Sequence, residues 1–468
     1  MNSYKKLVNN SMIFAVGTLG SKIVALLLVP LYTYYLSTAE YGTVDLVVAT
    51  INMLLPVVSW SVFEAVLRFS LDEKESPEET LINSLAIAFI SYVAFVLLYP
   101  LLAYLNVFDN TLFFLYIILL LQILERILSQ YLRGLGEVKK FAINGVLLSF
   151  TTGLFNILFL VVLGLNLKGY FWAMIVAYAI SIIYLLITSK AFRSFDRKLI
   201  NVDKMKNILK YSIPLVPNSI TWWVINASSR YFISFFVGLG ANGLYAVASR
   251  IPSVLNMLYQ VFNQAWQLSA IEEFESDNRT VFFSKVFNYL STFMFLGASV
   301  VIIFTKPIFS MLFAPEYFDA WMVTPFLLIG TVYSSFSSFL GTNYIAAKET
   351  RGIFNTSVYG GVISLALNFL LIPTIGLTGA GVSSLVSFIA MFIFRYIDTK
   401  KYLQLNLDIK NLILNTMIVL TQILVLLLNI QAPIEMTMNL ILLALLGLIN
   451  RQKIVAVFGY LKTYLIRK

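Results

Sequence analysis

Apolar residues fill this chain in long stretches, and short clusters of Gly, Pro, Asn and charge interrupt them at intervals. A bilayer core about 30 Å thick is crossed by a helix of about 20 apolar residues. Each stretch is therefore expected to be a membrane-spanning helix, and about fourteen can be marked. The first six are Ser11–Leu36, Tyr41–Phe69, Thr80–Leu105, Thr111–Leu132, Phe141–Leu165 and Gly169–Phe192. The next six are Ile208–Val237, Gly243–Ala270, Val281–Phe304, Ala320–Ala347, Ile353–Ile372 and Leu377–Ile397. A last pair is expected at Leu412–Ile430 and Ile434–Ile449. The opening (Lys5, Lys6, an apolar run, then Ser37-Thr38-Ala39) weakly resembles a cleavable signal. Its length and the interrupting Lys22 favour a first span instead.

Charge orients these spans. With the N-terminus placed in the cytoplasm, all but six of the 33 Lys and Arg residues fall on cytoplasmic connectors or tails. Lys168 and Lys306 fall outside, and Lys22, Arg126, Arg230 and Arg250 fall within spans. A one-span slip would destroy this asymmetry, so both termini are expected in the cytoplasm. The net charge of +10 then faces anionic lipid headgroups, and no nucleic acid is needed to explain it.

Composition narrows the chemistry. The chain has 468 residues, of which 59% are hydrophobic and 12% charged, with a mean hydropathy of +0.84. A soluble chain of this length cannot bury that much apolar surface. Without histidine or cysteine, imidazole catalysis, thiol nucleophiles, disulfides and the usual zinc sites are excluded. No metal site or cofactor is expected, and no Gly-rich nucleotide loop accompanies a soluble α/β region.

An internal repeat organises the spans. Glu137 and Glu349, Lys139 and Arg351, and Asn156 and Asn368 are all 212 residues apart, and Gly-rich turns follow both asparagines. Ala39-Glu40-Tyr41-Gly42 occupies the same place in the first half as Gly240-Ala241-Asn242-Gly243 in the second. The expected organisation is all-α: a six-helix lobe over 1–192, a basic cytoplasmic linker over 193–207, and a second six-helix lobe over 208–400. Residues 401–468 supply two extra spans and a basic tail. Six spans per lobe is an even number, so both lobes enter the membrane in one sense. A pseudo-twofold along the membrane normal and a cavity between rocking lobes follow. Pro30, Pro56, Pro214, Pro217 and Pro252 favour bends, and the bend at Pro252 lies beside Arg250.

Several segments resemble a known family. These are Glu40-Tyr41-Gly42, Phe63 to Phe69, Tyr211 to Pro217, Ser229 to Ile233, Gly243 to Pro252 and Leu367 to Gly381. Together they resemble Wzx-type polysaccharide flippases of the multidrug/oligosaccharidyl-lipid/polysaccharide exporter superfamily. Each piece is a loose pattern, and together they cover nearly the whole chain. One departure is Ser229, where many relatives carry an acid before the arginine at position 230. The resemblance implies two six-helix lobes around a polar cavity. It also implies transfer of undecaprenyl-diphosphate-linked oligosaccharide between leaflets of the bacterial cytoplasmic membrane, driven by H+, Na+ or the membrane potential. Membrane lipids and polysaccharide polymerase machinery are the implied partners.

Charged side chains at membrane depth need water or a partner. Lys22, Arg230, Arg250 and Arg126 are candidates for holding a diphosphate, which calls for several charge-assisted donors; snorkelling or contact with backbone carbonyls is the plainer alternative. Glu64 and Arg68, four apart, are candidates for an intrahelical pair or gate. Asp45, one turn into the second span, is either a coupling-ion site or an exposed helix-end acid. Trp222, Trp223, Trp266 and Trp321 suit interface anchoring better than sugar stacking. Two other functions compete with the flippase. A multidrug exporter of cations would place acids at depth where this chain has cations. A polytopic glycosyltransferase or polymerase would need a larger, acid-bearing outer loop.

Overall fold

The computed structural model describes residues 20–72, 74–106, 108–190, 199–347, 351–428 and 430–456. Lys5, Lys6, residues 193–198 of the basic linker, Lys348, Glu349 and residues 457–468 of the C-terminal tail lie outside them. The described residues form helices and turns without strands.

The helices are α1 (20–35), α2 (Thr38–Val58), α3 (Val62–Ser70), α4 (Pro77–Val96), α5 (Tyr99–Tyr104), α6 (Leu112–Gly134), α7 (Val138–Asn156), α8 (Asn166–Ser189) and α9 (Val202–Ser212). They continue with α10 (Leu215–Phe236), α11 (Leu239–Ala248), α12 (Arg250–Glu272), α13 (Arg279–Leu312), α14 (Thr324–Ala346), α15 (Arg351–Thr399), α16 (Ile409–Leu427) and α17 (Ala432–Ile449). Among the described residues, nine helical stretches are long and apolar enough to cross a membrane, and a tenth joins Pro315–Met322 to α14 across a 50° bend. The chain is thus a multi-pass membrane protein.

This count differs from the fourteen runs for physical reasons. The second expected span is interrupted at Trp60 and Ser61, both left-handed (φ 50° and 52°), so α2 and α3 are separate helices. The eighth breaks at Ser249 into α11 and α12. The eleventh and twelfth run together as the 49 residues of α15, bent where Ile375 and Gly376 leave helical geometry. The first expected span, Ser11–Leu36, lies partly outside the described residues, and α10 and the α11–α12 pair do not qualify on length and composition.

Two compact units divide the chain within α10, at Ala227 and Ser228. In the first unit, α6 packs on α2, α3, α4, α7 and α8, while α9 lies across α3 and α4. Every fourth residue of α9 (Lys204, Ile208, Ser212) faces inward. Lys204 forms an ion pair with Glu75 and lies 5.2 Å from the Phe69 ring centroid. Asn83 adds two further ties, accepting from the Asn201 N–H at 2.9 Å and donating to the Leu199 carbonyl at 2.8 Å. This helix is too polar to enter the bilayer and lies on the end of the unit.

In the second unit an aromatic core joins α12, α13, α14 and α15, with the Trp266 ring stacked 4.4 Å from Phe339 and Phe287 beside Phe336 and Phe392. Lipid is as apolar as these rings, so close packing and internal hydrogen bonds hold such helices together. Arg395 supplies three of those bonds: Nε to Thr356 Oγ1 at 3.0 Å, one terminal nitrogen to the Ser337 carbonyl at 2.8 Å and the other to Ser357 Oγ at 2.8 Å. The two C-terminal helices dock on α13. Lys306 Nζ reaches Glu435 Oε2 at 2.7 Å and the Leu426 carbonyl at 3.0 Å, and Thr292 and Asn415 both bond Asn450.

The 212-residue spacing recurs in local geometry. Asn156 and Asn368 are both fully buried. Gly164 and Gly376, also 212 apart, adopt φ of 61° and 59°, a region in which only glycine is unstrained. Gly164 turns α7 back into α8, and Gly376 bends the two halves of α15 in the same way.

Candidate functional site

The first unit carries Lys22, Asp45, Glu64, Arg68 and Arg126. Lys22 is partly buried on α1. Asp45 is only 8% exposed, so it is not a solvated helix-end acid. The neighbouring Glu40 of the resemblance motif has a structural job. Its carboxylate accepts from the Ser37 N–H at 2.9 Å while Ser37 Oγ accepts from the Glu40 N–H at 3.3 Å, a capping box that starts α2.

Arg68 does not take Glu64. Its guanidinium lies 3.9 Å from Asp72, one turn further on and just past the end of α3, with both side chains well exposed. So long and exposed a contact is worth little, which argues against a firm gate made by these residues. Arg126 stands 5.6 Å over the Phe63 ring and is exposed. The preceding acid is engaged: Asn144 Nδ2 on α7 donates to Glu125 Oε1 at 2.8 Å, and Ser181 Oγ on α8 donates to Asn144 Oδ1 at 2.7 Å.

The second unit carries Arg230 and Arg250. Arg230 on α10 lies 5.7 Å from the Tyr245 ring centroid on α11. Its neighbour Ser229 is hydrogen-bonded to Asn368 of α15, with Asn368 Nδ2 3.1 Å from Ser229 Oγ. Where an acid was absent from the sequence pattern, an amide–hydroxyl contact ties α10 to α15. Arg250 is the first residue of α12, at the break anticipated from Pro252, and is partly buried.

Residues beyond these candidates give α12 its character. Leu255, Tyr259, Trp266 and Ala270 form its buried face. Ser253, Asn256, Gln260 and Gln264 are exposed and, with Gln267, fall within an arc of roughly 80° at 100° per residue. On α17, by contrast, the exposed side chains are mostly apolar, among them Ile434, Met436, Met438, Leu440, Ile441, Leu445 and Leu448 beside Thr437. An apolar exposed face suits lipid, whereas an exposed amide-lined one suits water or a polar ligand. The i, i+4 spacing of these amides in the sequence carries the signal for this stripe.

The tryptophans take structural places. Trp266 and Trp321 are 3% and 5% exposed, neither at an interface nor open to sugars. Lys306 Nζ stands 4.4 Å over the Trp321 ring, and Trp223 Nε1 donates to the Ala49 carbonyl at 2.8 Å. The Trp222 side chain lies outside the described residues. Among the described residues no group of three Asp or Glu side chains is placed to hold a metal ion.

Comparison with known proteins follows the same outline. A family model described as polysaccharide biosynthesis protein matches residues 7–267. The capsular polysaccharide biosynthesis protein CapF of Staphylococcus aureus is 22% identical over 263 residues, 53% of this chain and 66% of that protein. An uncharacterised membrane protein of Methanocaldococcus jannaschii is 25% identical over 216 residues, 45% of this chain and 41% of its own length. The match spans less than two thirds of either relative. Among solved structures, the lipid II flippase MurJ in an inward closed conformation superposes with a TM-score of 0.71 at 13% identity, covering 95% of this chain and all of that one. An inward-facing multidrug resistance transporter of the MATE family, from the MOP superfamily, gives 0.66 at 14% identity over 82% of this chain and 95% of that one. At such identities these likenesses establish the fold, which is that of the MOP transporters.

Proposed function

Because this chain belongs to the polysaccharide biosynthesis protein family, we propose that it is a flippase moving lipid-linked oligosaccharide across the bilayer, with an undecaprenyl-diphosphate carrier as the lipid. The observation that carries this reading is the exposed polar arc of α12, Ser253, Asn256, Gln260 and Gln264. Exposed amides and hydroxyls match the hydroxyl groups of a sugar chain, which both donate and accept. Arg250 at the head of the same helix and Arg230 on α10, with Lys22 and Arg126 from the first unit, supply the cations that a diphosphate requires. The membrane is the cytoplasmic one, with both termini inside. Two six-helix lobes over 1–192 and 208–400, joined by the linker 193–207, alternate access to the cavity, and residues 401–468 stay with the second. Buried Asp45 is the proposed H+ or Na+ site among the original candidates.

The test follows the outer-leaflet fraction of the lipid-linked oligosaccharide in cells depleted of the protein, using a membrane-impermeant probe. Wild type should restore outer exposure, and the Gln260→Leu/Gln264→Leu double variant should not. Restoration by that variant would retire the α12 site. Normal outer exposure in depleted cells with unpolymerised product would replace the flippase by a polymerase-type enzyme, and a changed drug-resistance profile alone would favour a multidrug exporter.

A further inference from the structure

The C-terminal half of α6 contains a second polar face, distinct from the α12 stripe. After ten apolar positions from Leu112, polar residues occupy 122, 125, 126, 129, 130 and 133. At 100° per residue Gln122, Arg126, Ser129 and Arg133 share an arc of roughly 60°, with Glu125 at its edge. Arg126 and Arg133 are exposed along this face, whereas Gln122 and Ser129 are buried. From Arg133 to Gln122 the rise is about 16 Å at 1.5 Å per residue, so the face climbs about halfway through a bilayer core.

Glu125 stands where this face meets the interior of the first unit. One carboxylate oxygen takes the 2.8 Å bond from Asn144, which is 1% exposed, and Asn144 takes the 2.7 Å bond from Ser181, which is fully buried. One turn further in, Tyr178 of α8 hydrogen-bonds Gln122 of α6. The partners of the carboxyl on α7 and α8 are therefore neutral. The charge that acts on it is that of Arg126 on its own helix, with Tyr178 the titratable group facing it from α8. On the helices packed against α6, the other charged groups are Glu40 and Asp45 on α2, Glu64 and Arg68 on α3, Glu78 and Glu79 on α4, Lys139 and Lys140 on α7 and Lys168 on α8. A carboxyl reached by a polar face on one side and anchored by uncharged donors on the other can exchange a proton without losing its hydrogen bond.

We infer that Glu125 is a proton-binding site of the first unit, loading and unloading a proton through the α6 polar face as the transporter works. The exchange balances simply: the carboxylate oxygen gains a proton from water on the polar face and returns it to water, and no other bond changes. Loading the proton removes a negative charge beside Arg126 and strengthens the pull of that arginine on an anionic headgroup. Substrate binding and proton uptake are then linked, each favouring the other. The substrate half of this statement rests on the flippase reading, and the proton half does not.

Glu125→Gln tests it, because the glutamine carbonyl still accepts the Asn144 bond while the group cannot titrate. Infrared difference spectra of the purified full chain, compared between about pH 5 and pH 8, where the fold is expected to be stable, should show a protonated-carboxyl band that is missing from Glu125→Gln. Glu125→Asp should keep a band. In proteoliposomes carrying a pH gradient, Glu125→Gln should lose about tenfold or more of gradient-driven flux, within the usual range of coupling, with its melting temperature unchanged. A band that persists in Glu125→Gln, or flux that keeps its full pH dependence there, would overturn the proposal. A Glu125 band in a protein that moves no lipid-linked sugar would sustain the proton site while retiring the substrate.

Discussion

Removing Glu435 isolates the forces that keep the two C-terminal helices on α13. Lys306 and Glu435 meet at 2.7 Å with side chains only 18% and 11% exposed, and Lys306 also touches the Leu426 carbonyl and the Trp321 ring. Breaking a fully buried pair by deleting one partner costs about 3–5 kcal/mol. The carbonyl and the ring remain here to receive the ammonium, so Glu435→Ala should cost about 2 kcal/mol. Glu435→Gln, which keeps an acceptor oxygen and loses only the charge, should cost about half of that. Two kcal/mol is roughly a thirtyfold change in the balance between docked and undocked helices, at 1.4 kcal/mol per tenfold. The chain has no cysteine, so Val419→Cys, at a fully buried position on α16, reports undocking through its rate of thiol labelling. Adding Glu435→Ala should raise that rate about thirtyfold. Replacing both partners by methionine should return it to within about threefold of the parent, because no unpaired charge then remains. An unchanged rate in Glu435→Ala would refute the reasoning, and so would a double variant no better than the single one.

Two further outcomes follow from bonds already described. Arg395→Lys keeps the charge but replaces a fork that bonds Ser337, Thr356 and Ser357 by a single ammonium that reaches one of them. Its melting temperature in detergent should fall, by the equivalent of about 2–3 kcal/mol, and a melting temperature equal to wild type would show the fork is dispensable. At the start of α16, burial favours the neutral form of the Asp408 carboxyl. The Lys453 hydrogen bond and charge and the Asn411 backbone N–H outweigh it and hold the group below the usual carboxylate range. A lowered folded value means the stabilisation is complete above the ordinary value of about 3.9 and disappears as pH falls through the folded value. The melting difference between wild type and Asp408→Asn should therefore be constant from about pH 5 to 8 and vanish under more acid conditions. Exposure of this pair limits it to under about 1 kcal/mol, and a difference that grows in acid would contradict the assignment.

Apolar run length made most helices legible, because lipid imposes the same requirement on every span. The turn at Gly164 and the bend at Gly376 were visible as a shared spacing. What lipid does not dictate was harder to read. Arg395, grouped with cytoplasmic cations near a span end, is buried at 2% exposure; its acceptors on α14 and α15 are brought together only by tertiary packing. The Glu64–Arg68 spacing is favourable on any helix, but Asp72 lies at the same separation on the other side. Adjacency of Glu125 to Arg126 shows that the two point apart, and says nothing of Asn144, nineteen positions away. Aromatic abundance likewise cannot separate a core tryptophan such as Trp266 from an interfacial one. The amide stripe of α12 was available in the spacing, hidden by a mean hydropathy that averages its three faces.

The clamp of α9 on α3 and α4 gives synthesis an order. During translation the first unit emerges before any helix beyond α10, and domains generally fold as they are made. Once Ser212 has left the ribosome, Lys204, Asn201 and Leu199 can already reach Glu75 and Asn83. Closing that end of the first unit at this point shields its polar groups while the second is still being inserted. It also means that a nick within 191–198 leaves α9 on the downstream fragment, which carries its own handle for the upstream one. Two separately made halves cut there would have a built-in means of finding each other.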